Sequence, residues 1–406
     1  MTKSLDEHAE NWDLRHEDFK DNEFLYDVYE VMRRNAPFAH TDTPFLSATP
    51  GGAWVATRYE ECYRILQDWQ HFSSNPTPEG AKQLAGDLVI TLDPPRQQKF
   101  RKVLNPYFSP ARMKALQPQI RAETDQLIDA FIEQGNGDLA QVAWRQPGIV
   151  FFKYLLGMPI SDVPLCIELT DTALNGDTED ARMAAWAGLY QHIHDAVTAR
   201  KIQPPRDDMI DVLLNAEIDG EKLQFGDIVG NAMLLVQAGL ETTASAMSFA
   251  FHYLATHPGE RDRLLADPEL IPRAVEEFIR FSGSIHGIPR TVAQEVELSG
   301  HTFCPGESVI VNYASANRDT QQFPGADQCI LDRRENRHLG FGAGVHRCLG
   351  SNLARLEFQV GVEQVLSRMH DFLLAPGIDA PFHGNSVTRG YRRIPVVFSP
   401  GKRSAP

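Results

Sequence analysis

The segment Phe341-Gly342-Ala343-Gly344-Val345-His346-Arg347-Cys348-Leu349-Gly350 puts a cysteine at the end of a glycine-rich loop and runs directly into Ser351-Asn352-Leu353-Ala354-Arg355-Leu356-Glu357. Leu349, Leu353, Leu356 and Val360 recur at helical spacing, which predicts a helix with one buried face and Cys348 at its N-terminal edge. Unpaired helix amides, the positive end of the helix dipole and the adjacent Arg347 favour a thiolate there over a thiol. Gly342, Gly344 and Gly350 let the backbone pass close to something large and flat without Cβ clashes. The bland alternative is a buried structural thiol beside an ordinary turn. A thiol nucleophile is another, but His346 two residues away does not establish spatial pairing, and no second acid or amide is evident.

Two further constellations lie upstream. Ala238-Gly239-Leu240-Glu241-Thr242-Thr243 interrupts the apolar stretch Phe225–Ala255. Taken alone, it reads as a Thr bonding back to its own helix carbonyls and a Glu reaching solvent at a helix end. Glu277-Phe278-Ile279-Arg280 is an i, i+3 ion pair, worth only about 0.3–0.5 kcal/mol on a solvated helix face. Arg333, in Arg333-x-x-Asn336-x-His338-Leu339 just before the Cys loop, gives that pair a third member.

From Phe341 to Gly350 the chain matches every fixed position of F-x-x-G-x-x-x-C-x-G, and it resembles the cytochrome P-450 family of haem-thiolate monooxygenases from about residue 20 to 398. The resemblance implies a mainly α fold with a small β-rich part: a triangular-prism single domain, residues 1–406, with haem between a long central helix and the Cys-loop helix. It makes Cys348 the proximal iron ligand, whose electron density favours O–O cleavage. Phe341, Gly342, Gly350, Ala238 and Gly239 would lie against the haem, Gly239 opening room for dioxygen. Thr242 and Glu241 would be catalytic, the hydroxyl bonding the reacting oxygen and the acid linking it to solvent protons. Glu277, Arg280 and Arg333 would form a buried structural network.

Haem carboxylates need cationic or donor groups from different parts of the chain. By resemblance these are Gln97, Arg101, Arg290 and His346; Gln97 replaces the family's usual His and Arg96 its usual Glu in the segment opened by Asp93-Pro94-Pro95. Ala316-Asn317-Arg318-Asp319 and Leu353-Ala354-Arg355-x-Glu357 extend the match. The substrate pocket would include Ile285, His286, Ile288 and Val387, within the segments Ser284–Ile288 and Ser386–Thr388. Thr77–Ile90 and the lid residues Met183 and Trp186 would face it too. Ser284 stands where the family usually has Pro. His286 could orient a substrate oxygen, the alternative being a packed or solvated His.

The cofactor so implied is heme b, with electrons drawn from NAD(P)H through an iron–sulfur ferredoxin and its reductase. No room remains for a flavin or nicotinamide module of its own. Arg96, Lys99, Arg101, Lys102, Arg112 and Lys114, with Arg333, Arg334, Arg337 and Arg347, would form the ferredoxin-docking face. The expected reaction is hydroxylation of a small to medium hydrophobic organic substrate by a monomer. A peroxide-driven peroxygenase should lack the Glu241-Thr242 pair; a haem sensor or carrier would lack turnover.

The elements positioning these groups follow from periodicity. Helices are predicted around Leu25–Arg34, Tyr59–Trp69, Pro110–Gln134, Asp162–Ala173, Asp180–Arg200, Pro258–Asp267 and Pro272–Phe281, and a buried helix over Phe225–Ala255. The helix-rich core spans about 96–290 and 349–370, and strand-rich parts fall near 53–57, 295–313 and 385–398, pairing early with late segments. By the same resemblance, the mobile lid over the substrate would lie between Leu156 and Gly220. With 39 Lys+Arg against 54 Asp+Glu the chain is acidic, which argues against nucleic acid and anionic membrane surfaces. The charged stretch Met1–Lys20 has no apolar signal-peptide core, which points to the cytoplasm. The dispersed cysteines fit neither a disulfide framework nor a zinc site.

Overall fold

The computed structural model describes residues 3–42, 51–76, 86–377, 382–383 and 388–404. Its spine is two consecutive helices, Phe225–Leu240 and Thr242–Thr256. Buried residues such as Val229, Met233, Val236, Ala246, Phe249 and Leu254 leave no polar face, the pattern of helices enclosed by others. Among the described residues, no helix is long and apolar enough to cross a membrane. The single helix expected here is interrupted at Glu241 (φ −102°), after which the Ser245 N–H donates to the Glu241 carbonyl at 2.8 Å and the ladder resumes. At the interruption the Thr242 hydroxyl donates to the Ala238 carbonyl at 2.9 Å, and such back-bonding to residue i−4 bends helices.

The Cys-loop helix, Ser351–Arg368, packs on this spine: Val236 and Leu240 share an apolar cluster with Leu353 and Val360. A Cβ on Gly361 would lie 3.0 Å from the Met247 sulfur, so the two helices touch almost backbone to side chain. Helix Ile271–Ser282 has Pro272 in its first turn and ends at Gly283, whose φ of +55° is left-handed. Its apolar face, including Val275 and Phe278, enters a second cluster with Leu254 and Phe358. Helices Val163–Asn175 and Glu179–Arg200 pack on each other and across Phe225–Leu240, where the lid is expected.

The other predicted helices form close to their expected bounds, except that Pro110–Gln134 divides into Pro110–Ala115, Gln117–Asp129 and a 3-10 turn, Ile132–Gln134. Pro118 lacks the amide needed to continue the first of these. The strands form, and an early segment pairs with a late one as expected. Ser308–Val311 is buried at all four positions and therefore needs neighbours on both edges; it takes Ala53–Ala56 in parallel and Ile288–Val292 antiparallel. Pro395–Val397 joins Asn136–Asp138 and Leu373–Leu374 instead, so the earliest and latest predicted strands lie in different sheets.

Candidate active site

Cys348 lies just before Gly350, the N-cap of the Cys-loop helix. Its N–H donates to the Phe341 carbonyl at 2.8 Å and the Gly342 N–H to the Leu339 carbonyl at 2.8 Å, folding the loop back on itself. The three loop glycines have different tasks. Gly344 has φ +66°, and a Cβ there would sit 2.0 Å from the Leu66 carbonyl oxygen, so it docks the loop on helix Tyr59–Gln67. Gly350 has open space where a Cβ would project. The Phe341 ring is pinned from one side by the Arg355 guanidinium, 4.4 Å from its centre, which Glu276 holds in turn.

The Cys348 residue is accessible to solvent although protein surrounds its sulfur. Burial is the largest influence and pushes the thiol up; the Gly350 N–H, Arg101, Arg347 and Arg355 pull it down without overcoming burial. The expected thiolate preference is thus supplied only in part by the protein. A metal cation at the sulfur would complete it.

Cations converge nearby without acids. Burial, then Arg290 and Arg101, hold the His346 imidazole down to about 4, and Arg101 also acts on Cys348. Gln97 Nε2 donates to the Val345 carbonyl at 2.7 Å, Arg101 Nη1 to the Arg347 carbonyl at 2.9 Å and Arg290 Nη1 to the Pro289 carbonyl at 2.8 Å. His346 Nε2 is buried with no hydrogen-bond partner. Among the described residues, none of these four side chains meets a carboxylate. A solvent-accessible cysteine, two guanidiniums that meet no carboxylate and an orphaned imidazole nitrogen fit a flat metal macrocycle bearing two carboxylates, as a haem does.

The loop is braced from behind. Glu277 and Arg280 are fully buried and paired twice, at 2.7 and 2.8 Å; Arg333 Nε, Asn336 Nδ2 and the Ile330 N–H reach the same carboxylate at 3.0, 3.1 and 2.7 Å. Burial alone would raise the Glu277 carboxyl, but Arg280, the Ile330 N–H and Arg333 bring it below the usual range. The remaining Arg280 donors go to the carbonyls of Asn317, Ala326 and Gln328.

At the helix interruption the two motif residues diverge. Thr242 takes the plain partner, its own helix carbonyl. Glu241 does not reach solvent directly: it is 1% exposed, accepts from Thr388 Oγ1 at 3.0 Å, and lies 3.2 Å from Arg392 Nη2, which also bonds Asp171 at 2.9 Å. Burial raises its carboxyl, and Arg392 offsets only part of that. Arg392 and Asp171 are 28% and 37% exposed, so a polar chain runs from the buried acid to the surface. A Cβ on Gly239 would lie 3.0 Å from the Phe151 ring, so this glycine admits an aromatic neighbour; Ala238, exposed within a buried helix, is the residue that borders open space.

The Cytochrome P-450 family model matches residues 168–379, more than half of the chain. The vitamin D(3) 25-hydroxylase of Pseudonocardia autotrophica is 30% identical over 92% of this chain and 93% of its own length. The chain belongs to the cytochrome P-450 family. The mycinamicin IV hydroxylase/epoxidase of Micromonospora griseorubida is 32% identical over 91% of this chain and 94% of its own. The structure of CYP109E1 from Bacillus megaterium in complex with testosterone superposes with a TM-score of 0.84 and 26% identity, covering 98% of this chain and 100% of that one. Cytochrome P-450 membership makes this protein a monooxygenase that takes haem and an external source of electrons.

The expected pocket residues are only partly brought together in this P-450. Ile285 and Ile288 are partly buried against one apolar cluster, and Ile285 bridges Thr388. His286 takes the packed alternative: it is fully buried, 2.8 Å from the Tyr29 hydroxyl. Val387 lies outside the described residues, as do Ser386 and residues 77–85. Met183 is exposed, while Trp186 packs into the lid's core. Within the expected docking face, Arg96 pairs with Asp87, Lys99 with Asp219 and Arg112 with Asp207, and Arg333 is buried; Lys102, Lys114, Arg334, Arg337 and Arg347 remain exposed. Sequence reasoning did not find Arg392 and Thr388 as partners of Glu241. The one signal was the basic run Arg389-Gly390-Tyr391-Arg392-Arg393 near the end of the chain.

Proposed function

We propose that this cytochrome P-450 hydroxylates a small to medium hydrophobic organic molecule, as one domain holding heme b through Cys348 and receiving electrons from a ferredoxin-type partner in the cytoplasm. The observation that carries the reading is the solvent-accessible Cys348 residue near Arg101, Arg290 and His346, cationic or donor groups left without acids. Iron protoporphyrin with a thiolate ligand supplies the activation of dioxygen for transfer of one oxygen atom to substrate. Gly350 N–H, Arg101 and Arg347 stabilise negative charge on Cys348, while Gln97 and Arg101 brace the loop that presents it.

Glu241 holds a proton more readily than an ordinary carboxyl and lies one residue before Thr242, with Arg392 and Asp171 leading outward. In this reading it passes protons from the surface toward the Thr242 hydroxyl, which is tethered at the Ala238 carbonyl until it is needed. Such an acid–alcohol pair serves a monooxygenase rather than a peroxide-driven enzyme.

The apolar substrate class rests on the named relatives, a vitamin D(3) hydroxylase, a mycinamicin IV hydroxylase/epoxidase and a testosterone complex, and on Ile285, Ile288 and Ala238 bordering the region. The ferredoxin face is the exposed set Lys102, Lys114, Arg334, Arg337 and Arg347, available to an acidic partner. Titration of the haem-loaded protein with a panel of apolar compounds tests the substrate reading: ligands that displace solvent at the metal should shift its absorption from the low-spin to the high-spin form. Response only to charged, hydrophilic compounds would contradict it.

A further inference from the structure

Outside the Cys loop, the N-terminal segment brings three metal-ligating side chains to one point. His8 lies on helix Leu5–Glu10, His16 caps the 3-10 turn Glu17–Lys20, and Asp18 lies within that turn. His8 Nε2 is 2.9 Å from Asp18 Oδ2, His16 Nδ1 is 3.4 Å from the same oxygen, and the three ligand atoms lie within 4.8 Å of one another. An ion with bonds of about 2.0–2.2 Å to nitrogen and oxygen holds neighbouring ligand atoms roughly 3.0–3.5 Å apart. The His16–Asp18 spacing of 3.4 Å already suits a shared ion, and the His8–Asp18 spacing of 2.9 Å has only to open slightly.

We propose that His8, His16 and Asp18 form a site for a divalent transition-metal ion of the zinc type, with water completing the coordination. Two imidazoles and one carboxylate suit zinc, whereas calcium and magnesium require oxygen sets. The cluster is built into the fold rather than scattered over a surface: the His8, Asp18 and His16 side chains are 1%, 13% and 26% exposed. The Phe19 and Phe24 rings pack 4.7 and 5.5 Å from the His8 ring and shield the site on that side. Residues 3–23 carry eight Asp and Glu against three Lys and Arg, a local field that favours a cation.

The ion competes with two existing contacts. One is the His8–Asp18 hydrogen bond; its proton moves to the other ring nitrogen or leaves to solvent when Nε2 becomes a ligand. The other is the cap bond from the Asp18 N–H to His16 Nδ1, which at 3.3 Å is long for its class. A bound ion ties the first helix to the turn that leads into helix Asn22–Asn35. The Phe19 carbonyl, next to Asp18, accepts from Arg389, and Arg389 adjoins Thr388, which donates to Glu241. The site thus fastens the segment on which the loop beside the buried acid rests.

Isothermal titration of untagged, haem-loaded protein with zinc chloride tests this, in a Cys304→Ser background because that exposed thiol could compete. One saturable equivalent per chain is expected, weakened at least about 10-fold in both Asp18→Asn and His16→Ala. Zinc should also raise the unfolding temperature of the parent more than that of His16→Ala at the same concentration. His16 is the more accessible ligand, so its removal leaves the folded scaffold for comparison. Equal affinity in the parent and both variants, or no saturable binding, would overturn the site.

Discussion

Two buried glutamates divide this molecule by task. Glu277 and Glu241 are 0% and 1% exposed, yet their carboxyls move in opposite directions. Glu277, behind the Cys loop, meets two guanidiniums, a backbone N–H and an amide, and is held ionised below its usual range. Glu241, at the helix interruption, meets one hydroxyl and one guanidinium at 3.2 Å that Asp171 also claims, and burial wins. A fully satisfied buried charge locks geometry, whereas a half-satisfied one can exchange its proton. In the proposed function this contrast separates the part that would present the sulfur from the part that would handle protons.

Three variants would break or sharpen that contrast. The largest effect is expected from Glu277→Ala, which strands Arg280 and Arg333 in the interior and should cost about 3–5 kcal/mol, read as loss of haem and a lowered denaturation midpoint. Glu241→Gln should leave that midpoint near the parent's, because a carboxyl already inclined to neutrality loses little; product formation should fall roughly 100-fold. If Glu241→Gln unfolded the protein and Glu277→Ala did not, the assignment of tasks would be reversed.

The smallest effect concerns Glu276, next to Glu277 in sequence. Burial pushes its carboxyl up, but His338 and Arg355 bring it to about 2 from a usual 4.5. A carboxyl lowered in the folded state contributes stability that is fully present above pH 4.5 and lost as pH falls toward 2. The stability gap between the parent and Glu276→Gln, on the order of 3 kcal/mol or less at pH 6, should therefore narrow steadily below pH 4.5 in urea titrations. A gap independent of pH would show that the His338 and Arg355 contacts carry no net charge stabilisation.

Local pattern decided what could be read from the residues alone. The Cys loop was legible because glycine, cysteine and a helical apolar stripe sit within twenty residues, and the Glu277–Arg280 pair because three residues make one helical turn. The partners of Glu241 were not, since Thr388 and Arg392 lie 147 and 151 residues away and no periodicity links them. Glu241, Thr242 and Thr243 break the apolar composition, but a break in composition does not say that the helix itself is interrupted there. Strand partners were legible only in part, for a related reason. The all-buried pattern of Ser308–Val311 announces a central strand but not which edges flank it. Nothing local decides between the two readings of His286; Tyr29, 257 residues away, makes it the packed one.

The Cys348 sulfur as the metal's ligand remains the central claim, and the absorption spectrum of the reduced, carbon monoxide-bound protein tests it most directly. The parent should show the red-shifted band of a thiolate-ligated haem, and Cys348→Ser should lose it while Arg101, Arg290 and His346 still retain the porphyrin in part. A Cys348→Ser protein with the red-shifted band intact would contradict the account.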